Sequence, residues 1–138
     1  LEYAIRAGTT GAYPFTEGAK AACETVNAAD ASTGFKWRNT ACEDGFPRTA
    51  EVNALKPNAF GLSGTTGNLW EWAADCWHPS HEGARSDGKA RTKGECESRA
   101  LRGGSWDDPL GNLRSAYRVG IPAKRRQANI GIRIVVED

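Results

Sequence analysis

The stretch LRGGSWDDPLGNLRSAYR, residues 101–118, concentrates residue types that could take part in chemistry. It carries a double glycine, a tryptophan, two adjacent aspartates and three arginines. Paired carboxylates can act as acid and base or bind a hard cation, and arginines bind anions through paired hydrogen bonds. The same residue types can also form a structural frame, because glycines permit close backbone approach and arginines tie strands together. Three interpretations are therefore open: a reactive site, a ligand surface, or the frame around one.

The two histidines, His78 and His81, are the second candidate for chemistry. Together with Glu82 they form the sequence HPSHE, which inverts part of the helical zinc-protease pattern. Pro79 lies between them, and proline disrupts the helix interior that such zinc geometry requires. We therefore interpret both as surface histidines, and the sequence offers no recognisable set of catalytic residues.

Four cysteines fall into two pairs, Cys23 with Cys42 and Cys76 with Cys96. Neither pair has the C-x-x-C spacing that metal and redox sites favour. Disulfides within the pairs fit best, and each would close a loop worth ~3 kcal/mol in the loop-entropy description. Four buried thiols are the alternative, and the sequence does not fix the connectivity. Disulfides would imply an oxidising compartment, so we expect an extracytoplasmic protein, periplasmic or secreted.

Length and charge limit the classes of function. The 138 residues suit one domain, and 18 Lys+Arg against 17 Asp+Glu leave a net charge of +1, which does not favour a nucleic-acid partner. No apolar run approaches the ~20 residues that a membrane-spanning helix needs. We therefore expect neither nucleic-acid binding nor a membrane span.

The elements that must position these residues are short. A helix is predicted at the start, with Leu1 and Ile5 on one face and Gly8 as its C-cap. A second short helix is predicted in GAKAACETVNAAD. Alternating apolar residues predict a small antiparallel sheet from four segments: NLWEWAAD, RALRGGSW, LRSAYRVG and NIGIRIVVED. The rest is rich in turn signals, so the expected class is α+β with much irregular structure.

Tryptophans are the expected anchors of the core. Trp70 and Trp72 are two positions apart and so share one strand face, and Trp106 is expected on the strand after the double glycine. Large aromatic side chains of this kind usually bury more surface than any other residue, which favours packing over ligand contact.

Several stretches together resemble the formylglycine-generating enzyme and sulfatase-modifying factor family: LEYAIRAGTT, PNAFGLSGTTGNLWEWAADCW, LRGGSWDDP, LRSAYR and NIGIR. The resemblance implies a C-type-lectin-like α+β fold. It also implies that residues 1–138 are the C-terminal portion of one domain whose N-terminal part is missing. Arg114, Arg118 and Arg133 match family arginines that are expected to tie strands together.

The resemblance further implies where copper would be bound. Aldehyde-forming members hold copper through two cysteines, three and eight residues beyond the serine of the glycine-glycine-serine block. Those positions here are Asp108 and Leu113. Neither a carboxylate nor a leucine can replace a soft thiolate pair for Cu(I), so we expect no copper and no copper-dependent formylglycine-generating oxidase.

Calcium is the cofactor that the resemblance does imply. One site would use the Asn27 side chain, the Ala28 carbonyl, the Asp44 side chain and the Phe46 carbonyl, although an ordinary Asp-Gly turn is the alternative for Asp44. A second, weaker site would use Glu71, with Gly64 in place of one ligand and with the carbonyls of Gly67 and Leu69. The alternative role for Glu71 is that of a buried hydrogen-bonding centre.

These features favour a frame with a surface attached. The expected function is a non-catalytic, lectin-like recognition or partner-docking module, with a protein or peptide ligand, or with the missing N-terminal portion or another chain as partner. A close variant of this interpretation is that the chain resembles the variable ligand-binding proteins of diversity-generating retroelements. The alternative is an accessory part of an oxidoreductase whose catalytic residues lie elsewhere. The expected ligand surface comprises Asp107, Asp108, Asn112, Tyr117 and Gln127.

Overall fold

The computed structural model describes residues 1–15, 18–94 and 96–136. Long irregular segments connect short regular elements, as the density of turn signals predicts. In chain order the elements are α1 Glu2–Arg6, α2 Gly18–Ala22, β1 Trp70–Cys76, β2 Ser98–Arg102, a 3-10 helix Leu110–Leu113, β3 Arg118–Pro122 and β4 Ile130–Gly131.

The sheet has the order β3-β2-β1-β4. β1 pairs with β2 and β2 with β3 in antiparallel fashion, but β4 runs parallel to β1. The chain must cross from one edge of the sheet to the other between β3 and β4. The predicted α+β class is confirmed, with a mixed sheet in place of the fully antiparallel one expected.

The strand predicted in NIGIRIVVED is much shorter than expected. Only Ile130 and Gly131 pair with β1. Ile132 and Ile134, the next members of the alternating pattern, are 72% and 77% exposed. Arg133 is drawn towards β1 by an ion pair with Glu71, so the chain leaves the ladder there. Residues 137–138 of that prediction lie outside the described part of the chain.

Two local predictions need correction. α1 forms as predicted and buries Ile5, but its C-cap in the left-handed region is Ala7, with φ 43°, and Gly8 follows it at φ 92°. Trp106 lies in a turn and not on a strand, because β2 ends at Arg102 and both Gly103 and Gly104 have positive φ. Glycine adopts that conformation without the steric cost that a Cβ imposes.

Both predicted disulfides are present, Cys23–Cys42 and Cys76–Cys96, with Cα atoms 6.0 Å and 4.9 Å apart. The second joins the end of β1 to the residues just before β2. It therefore closes the long polar segment between these strands at its base, which limits the conformational freedom of that segment.

Two glycines let separate segments approach closely. A Cβ on Gly67 would collide with the backbone of Asn27, to which Gly67 forms a parallel bridge. A Cβ on Gly120 in β3 would collide with the ring of Trp77. These contacts bring the irregular N-terminal half and the β1–β2 connection against the sheet. None of the helices in the described ranges is long and apolar enough to cross a membrane.

Candidate functional site

The turn from Ser105 to Asp108 is built around one carboxylate. Ser105 is fully buried, and both its backbone N–H and its hydroxyl donate to Oδ2 of Asp108, the former at 3.0 Å. The amide of Asn112 donates to the other oxygen, Oδ1, at 2.7 Å. The backbone carbonyl of Asp108 accepts from Ala29 at 3.0 Å. Asp108 therefore joins the end of β2, the 3-10 helix and the N-terminal half.

Asp107 is held from two sides. Its carboxylate lies 2.6 Å from the Ser105 hydroxyl, whose single proton it shares with Asp108, and it accepts from the Asn129 amide at 3.1 Å and 3.2 Å. Its backbone carbonyl accepts from the indole N–H of Trp37 at 2.9 Å. Charge-assisted hydrogen bonds of this kind fix side-chain positions, so Asp107 marks the point where three distant segments meet.

The two positions where the family resemblance implies thiolates are occupied by structural side chains. Asp108 is engaged by the three donors just described. Leu113 is 1% exposed and packs beside Gly104, where a Cβ would lie 3.0 Å from Cδ2 of the leucine. Neither side chain is a soft ligand, and both are engaged in contacts within the protein, so neither offers a free ligand atom to copper.

The residues predicted as one ligand surface divide into three groups. Asp107, Asp108 and Asn112 share the polar network around Ser105. Tyr117 packs near Trp70, with ring centroids 6.0 Å apart, under the guanidinium of Arg114. Gln127 is exposed in the turn that leads to Asn129. The structure therefore gathers the first group around Ser105. Tyr117 lies apart from this group, and Gln127 lies two residues before Asn129, whose amide contacts Asp107.

Sequence reasoning missed an aromatic group beside this network. Phe35 stacks on Trp37 with centroids 4.9 Å apart, and Phe35 also contacts Trp106 at 5.9 Å. Trp37 is 53% exposed. The alternation of aromatic residues in GFKW was the available signal, but in a turn-rich segment it predicts nothing about a sheet face. We call Phe35, Trp37, Trp106, Asp107, Gln127 and Asn129 the Asp107 surface.

The first predicted calcium site has donor atoms that fit a hard cation. Asn27 is fully buried, and its amide nitrogen donates to the Arg48 carbonyl at 2.8 Å, which fixes the orientation of the amide. Its Oδ1 is buried and has no hydrogen-bond partner among the described residues. Oδ2 of Asp44 is likewise buried without one, while its Oδ1 accepts from Phe46. Buried oxygens are rarely left unpaired, so these two fit a calcium ion.

The electrostatics around Asp44 also favour a cation. Burial, together with the nearby Asp30 carboxyl, raises the pKa of Asp44 to about 6, although the hydrogen bond from the Phe46 N–H lowers it. A hydrogen bond from the N–H of Ala28 also lowers the pKa of this carboxyl, which places Asp44 beside the Asn27–Ala28 segment. Asp30 was missed from the sequence. It is 1% exposed and accepts from the backbone of both Ser32 and Asp44.

The second predicted calcium site does not fit an ion. Both carboxylate oxygens of Glu71 accept from Arg133, at 3.0 Å and 3.1 Å, and the same guanidinium donates to the Ser63 carbonyl. The carbonyl of Gly67 accepts from the N–H of Leu69. The guanidinium thus supplies the positive charge that the buried Glu71 needs, as the alternative of a hydrogen-bonding centre anticipates.

The arginines and histidines serve to connect segments. Arg118 donates to the His78 carbonyl at 2.6 Å, and Arg133 ties the segment after β4 to β1. Among the described residues, the hydrogen bond of the Arg114 side chain stays within its own turn, where it donates to the Gly111 carbonyl. His81 is exposed and His78 is half-buried. No group of three or more histidine, cysteine, aspartate and glutamate side chains suited to a metal occurs in the described ranges.

Comparison with known proteins places this geometry in a family. Residues 1–138 match the family described as sulfatase-modifying factor enzyme 1-like domain. The formylglycine-generating enzyme of Streptomyces coelicolor is 36% identical over 98 residues, which are 69% of this chain and 31% of the enzyme. The inactive C-alpha-formylglycine-generating enzyme 2 of Mus musculus is 32% identical over 97 residues, 66% of this chain and 27% of that protein.

A solved structure gives the same result. PvdO from Pseudomonas aeruginosa superposes with a TM-score of 0.77 and 36% identity, covering 95% of this chain and 47% of that one. The chain thus spans less than half the length of each of these three proteins.

The calcium site gives the first testable prediction. Calcium at a hundred times its Kd should stabilise the wild-type chain by about 2.7 kcal/mol through mass action, and Asp44→Asn should abolish this effect. In chelator at neutral pH the variant should be at least as stable as the wild type, because it no longer buries a charge. Thermal unfolding with calcium and with chelator measures both. Asp87→Asn, at an exposed position, is the control and should keep the calcium effect. An Asp44→Asn protein that still responds to calcium would exclude the site.

Proposed function

The chain belongs to the sulfatase-modifying factor enzyme 1-like domain family, and we propose that it is a non-catalytic member that recognises a protein or peptide ligand. Family membership by itself does not fix activity, because function depends on the site and not on the fold. The Mus musculus relative is named as inactive, so this family includes a protein described in that way.

One observation carries the proposal. The positions at which the resemblance implies copper-binding thiolates hold a hydrogen-bonded carboxylate, Asp108, and a core leucine, Leu113. Both side chains stabilise the turn after the double glycine. A copper ion would need soft ligands in fixed geometry at these positions, and the side chains present contribute packing and hydrogen bonds instead.

The Asp107 surface supports recognition as the function. It combines a half-exposed, stacked tryptophan with polar groups held in place by hydrogen bonds. Tryptophan is enriched among residues that dominate binding energy, because it offers a large contact area at low entropic cost. Trp37 is positioned by Phe35 and by the Asp107 carbonyl before any ligand arrives, which lowers the entropic cost of binding.

A compartment and a structural metal ion belong to the same proposed role. Two disulfides are typical of a protein that matures outside the reducing cytoplasm, and we assign this one to the periplasm or the extracellular space. A calcium ion at Asn27 and Asp44 serves a structural role, because it would tie the irregular N-terminal half to Gly67 and the sheet through Asn27. The fold then acts as a lectin-like support for the Asp107 surface.

The second candidate is an accessory part of an oxidoreductase whose catalytic residues lie in another part of a longer polypeptide or on another chain. It is favoured by coverage, since this chain matches only 31% of the Streptomyces enzyme and 47% of PvdO. The two candidates differ in one respect: the accessory part regains oxidase activity when its partner is added, whereas the recognition module does not.

Copper loading tests the absence of oxidase chemistry. We expect the chain, supplied with Cu(I) and oxygen, to leave a sulfatase-type cysteine peptide unconverted, because no thiolate pair holds the metal. Trapping of aldehyde by a hydroxylamine probe, followed by mass spectrometry, measures conversion. The Streptomyces enzyme serves as the positive control. Copper-dependent aldehyde formation above the protein-free level would contradict the proposal.

Peptide selection tests the recognition surface. Peptides enriched from a displayed random library on the wild-type chain should bind Trp37→Ala about tenfold or more weakly, the loss typical of an aromatic hot spot. Phe60→Ala is the matched control. Phe60 is also exposed, at 45%, but its ring packs at a tilt against Tyr3 of α1 and not in the Asp107 surface. Equal loss in both variants, or none in Trp37→Ala, would show that the ligand binds elsewhere.

A further inference from the structure

A basic cleft lies apart from the Asp107 surface, between the sheet and the connection from β1 to β2. Its volume is about 310 Å³. Five sheet residues line it, Asp75 and Cys76 of β1, Ala100 and Arg102 of β2 and Arg118 of β3, and α1 contributes Glu2. The Cys76–Cys96 bridge closes the covering connection at its base. Residues His78 to Arg91 of that connection supply the remaining wall.

Two arginines face each other across neighbouring strands on the floor of this cleft. Arg102 and Arg118 are directly paired in the β2–β3 register, so their side chains emerge on the same face. Like charges in such a position repel each other and destabilise the sheet. Burial is the main cause that lowers the pKa of Arg118, and the charge of Arg102 lowers it further, whereas Asp75 and Glu2 raise it. An anion bound between the two guanidinium groups would remove the repulsion.

Both guanidinium groups are held in position. Arg118 lies over the ring of Trp77, 4.5 Å from its centroid, and donates to the His78 carbonyl at 2.6 Å. Arg102 is 12% exposed and pairs with Glu2 at 3.0 Å. The arginines therefore have lost much of their conformational freedom before binding, which favours recognition of a planar or tetrahedral oxyanion.

The charges that line the cleft do not balance. Five cationic side chains stand against two carboxylates, Glu2 and Asp75, and Arg85 is in addition paired with Asp87 outside the lining. Asp75 also accepts from the backbone N–H of Arg91. With neutral histidines the local charge is positive, and a concave site concentrates such a field. The five cations are Arg85, Lys89, Arg91, Arg102 and Arg118.

His78, which lines the cleft, carries an unused polar atom. Nε2 of His78 is buried and has no hydrogen-bond partner among the described residues. A buried nitrogen without a partner is costly, and it can donate to an oxyanion in its protonated tautomer. This observation is independent of the arginine pair and indicates the same ligand chemistry.

We propose that this cleft binds the oxyanion group of a small molecule, a phosphate or a carboxylate, between Arg102 and Arg118 with His78 Nε2 as a further donor. The site is separate from the Asp107 surface, so it does not rest on the proposed function. The volume admits a small metabolite and not a folded partner, and the class of ligand is set by forked guanidinium donors and a ring nitrogen.

Calorimetric titration at constant ionic strength tests the proposal with inorganic phosphate, with succinate and with chloride. Saturable binding of phosphate alone would identify phosphate esters as the ligand class, and binding of succinate alone would identify carboxylates. Binding of both supports the shared oxyanion chemistry. Equal, non-saturating responses to all three anions would show general screening only and would overturn the proposal.

Variants locate the binding. Arg118→Gln should weaken binding about tenfold or more, the loss expected for a charge-assisted hydrogen bond, whereas Arg99→Gln should change it less than about twofold. Arg99 lies on β2 next to Ala100 but outside the cleft lining. The Arg99→Gln variant therefore removes the same net charge as Arg118→Gln without changing the cleft. Equal effects of both variants would contradict the site.

A measurement on the wild-type chain covers the case in which Arg118→Gln fails to fold. The chain has two histidines, so their ring nitrogen signals are assigned with His81→Gln. Nε2 of His78 should shift saturably with phosphate or succinate, with the same Kd as calorimetry. An unchanged His78 signal at anion saturation would overturn the role of this histidine and the placement of the anion.

Discussion

The centre of this molecule depends on the hydrogen bonds that the carboxylate of Asp108 accepts. It accepts from the backbone and hydroxyl of the buried Ser105 and from Asn112. The backbone carbonyl of Asp108 accepts from the N–H of Ala29, two residues after the buried Asn27. A chain with so little regular structure has few ladder hydrogen bonds, so side chains that satisfy several backbone and polar groups carry much of the specificity of the fold.

That constraint separates frame from surface. With Asp108 and Leu113 committed to the turn, the groups free to meet a ligand are those displaced outward, above all Trp37, which the carbonyl of Asp107 positions. In the basic cleft, by contrast, the like-charged Arg102 and Arg118 lie side by side at an electrostatic cost. Like charges kept side by side and a buried nitrogen without a hydrogen-bond partner are costly in a native structure, and a bound anion would offset both costs.

The sequence predicted the elements that local chemistry determines. Period-two apolar patterns located β1 and β2, the cysteine spacing gave both disulfides, and the family motifs gave the α+β class. It failed where distant contacts decide. β4 ends after Gly131 because Arg133 pairs with Glu71, 62 residues away. Trp37 becomes part of a surface only through a contact 70 residues distant, and no local pattern encodes that contact.

The unfolding free energy of Asp108→Ala measures most directly whether the Ser105–Asp108 turn is a structural frame. Loss of the hydrogen bonds to this partly buried carboxylate should destabilise the chain by about 3 kcal/mol in denaturant titration, because the N–H of Ser105 and the amide of Asn112 would be left without their acceptor. A functional carboxylate would behave differently, since its removal usually leaves stability unchanged or increases it. An Asp108→Ala chain within about 0.5 kcal/mol of the wild type, or more stable, would contradict the frame and place Asp108 in a reactive site.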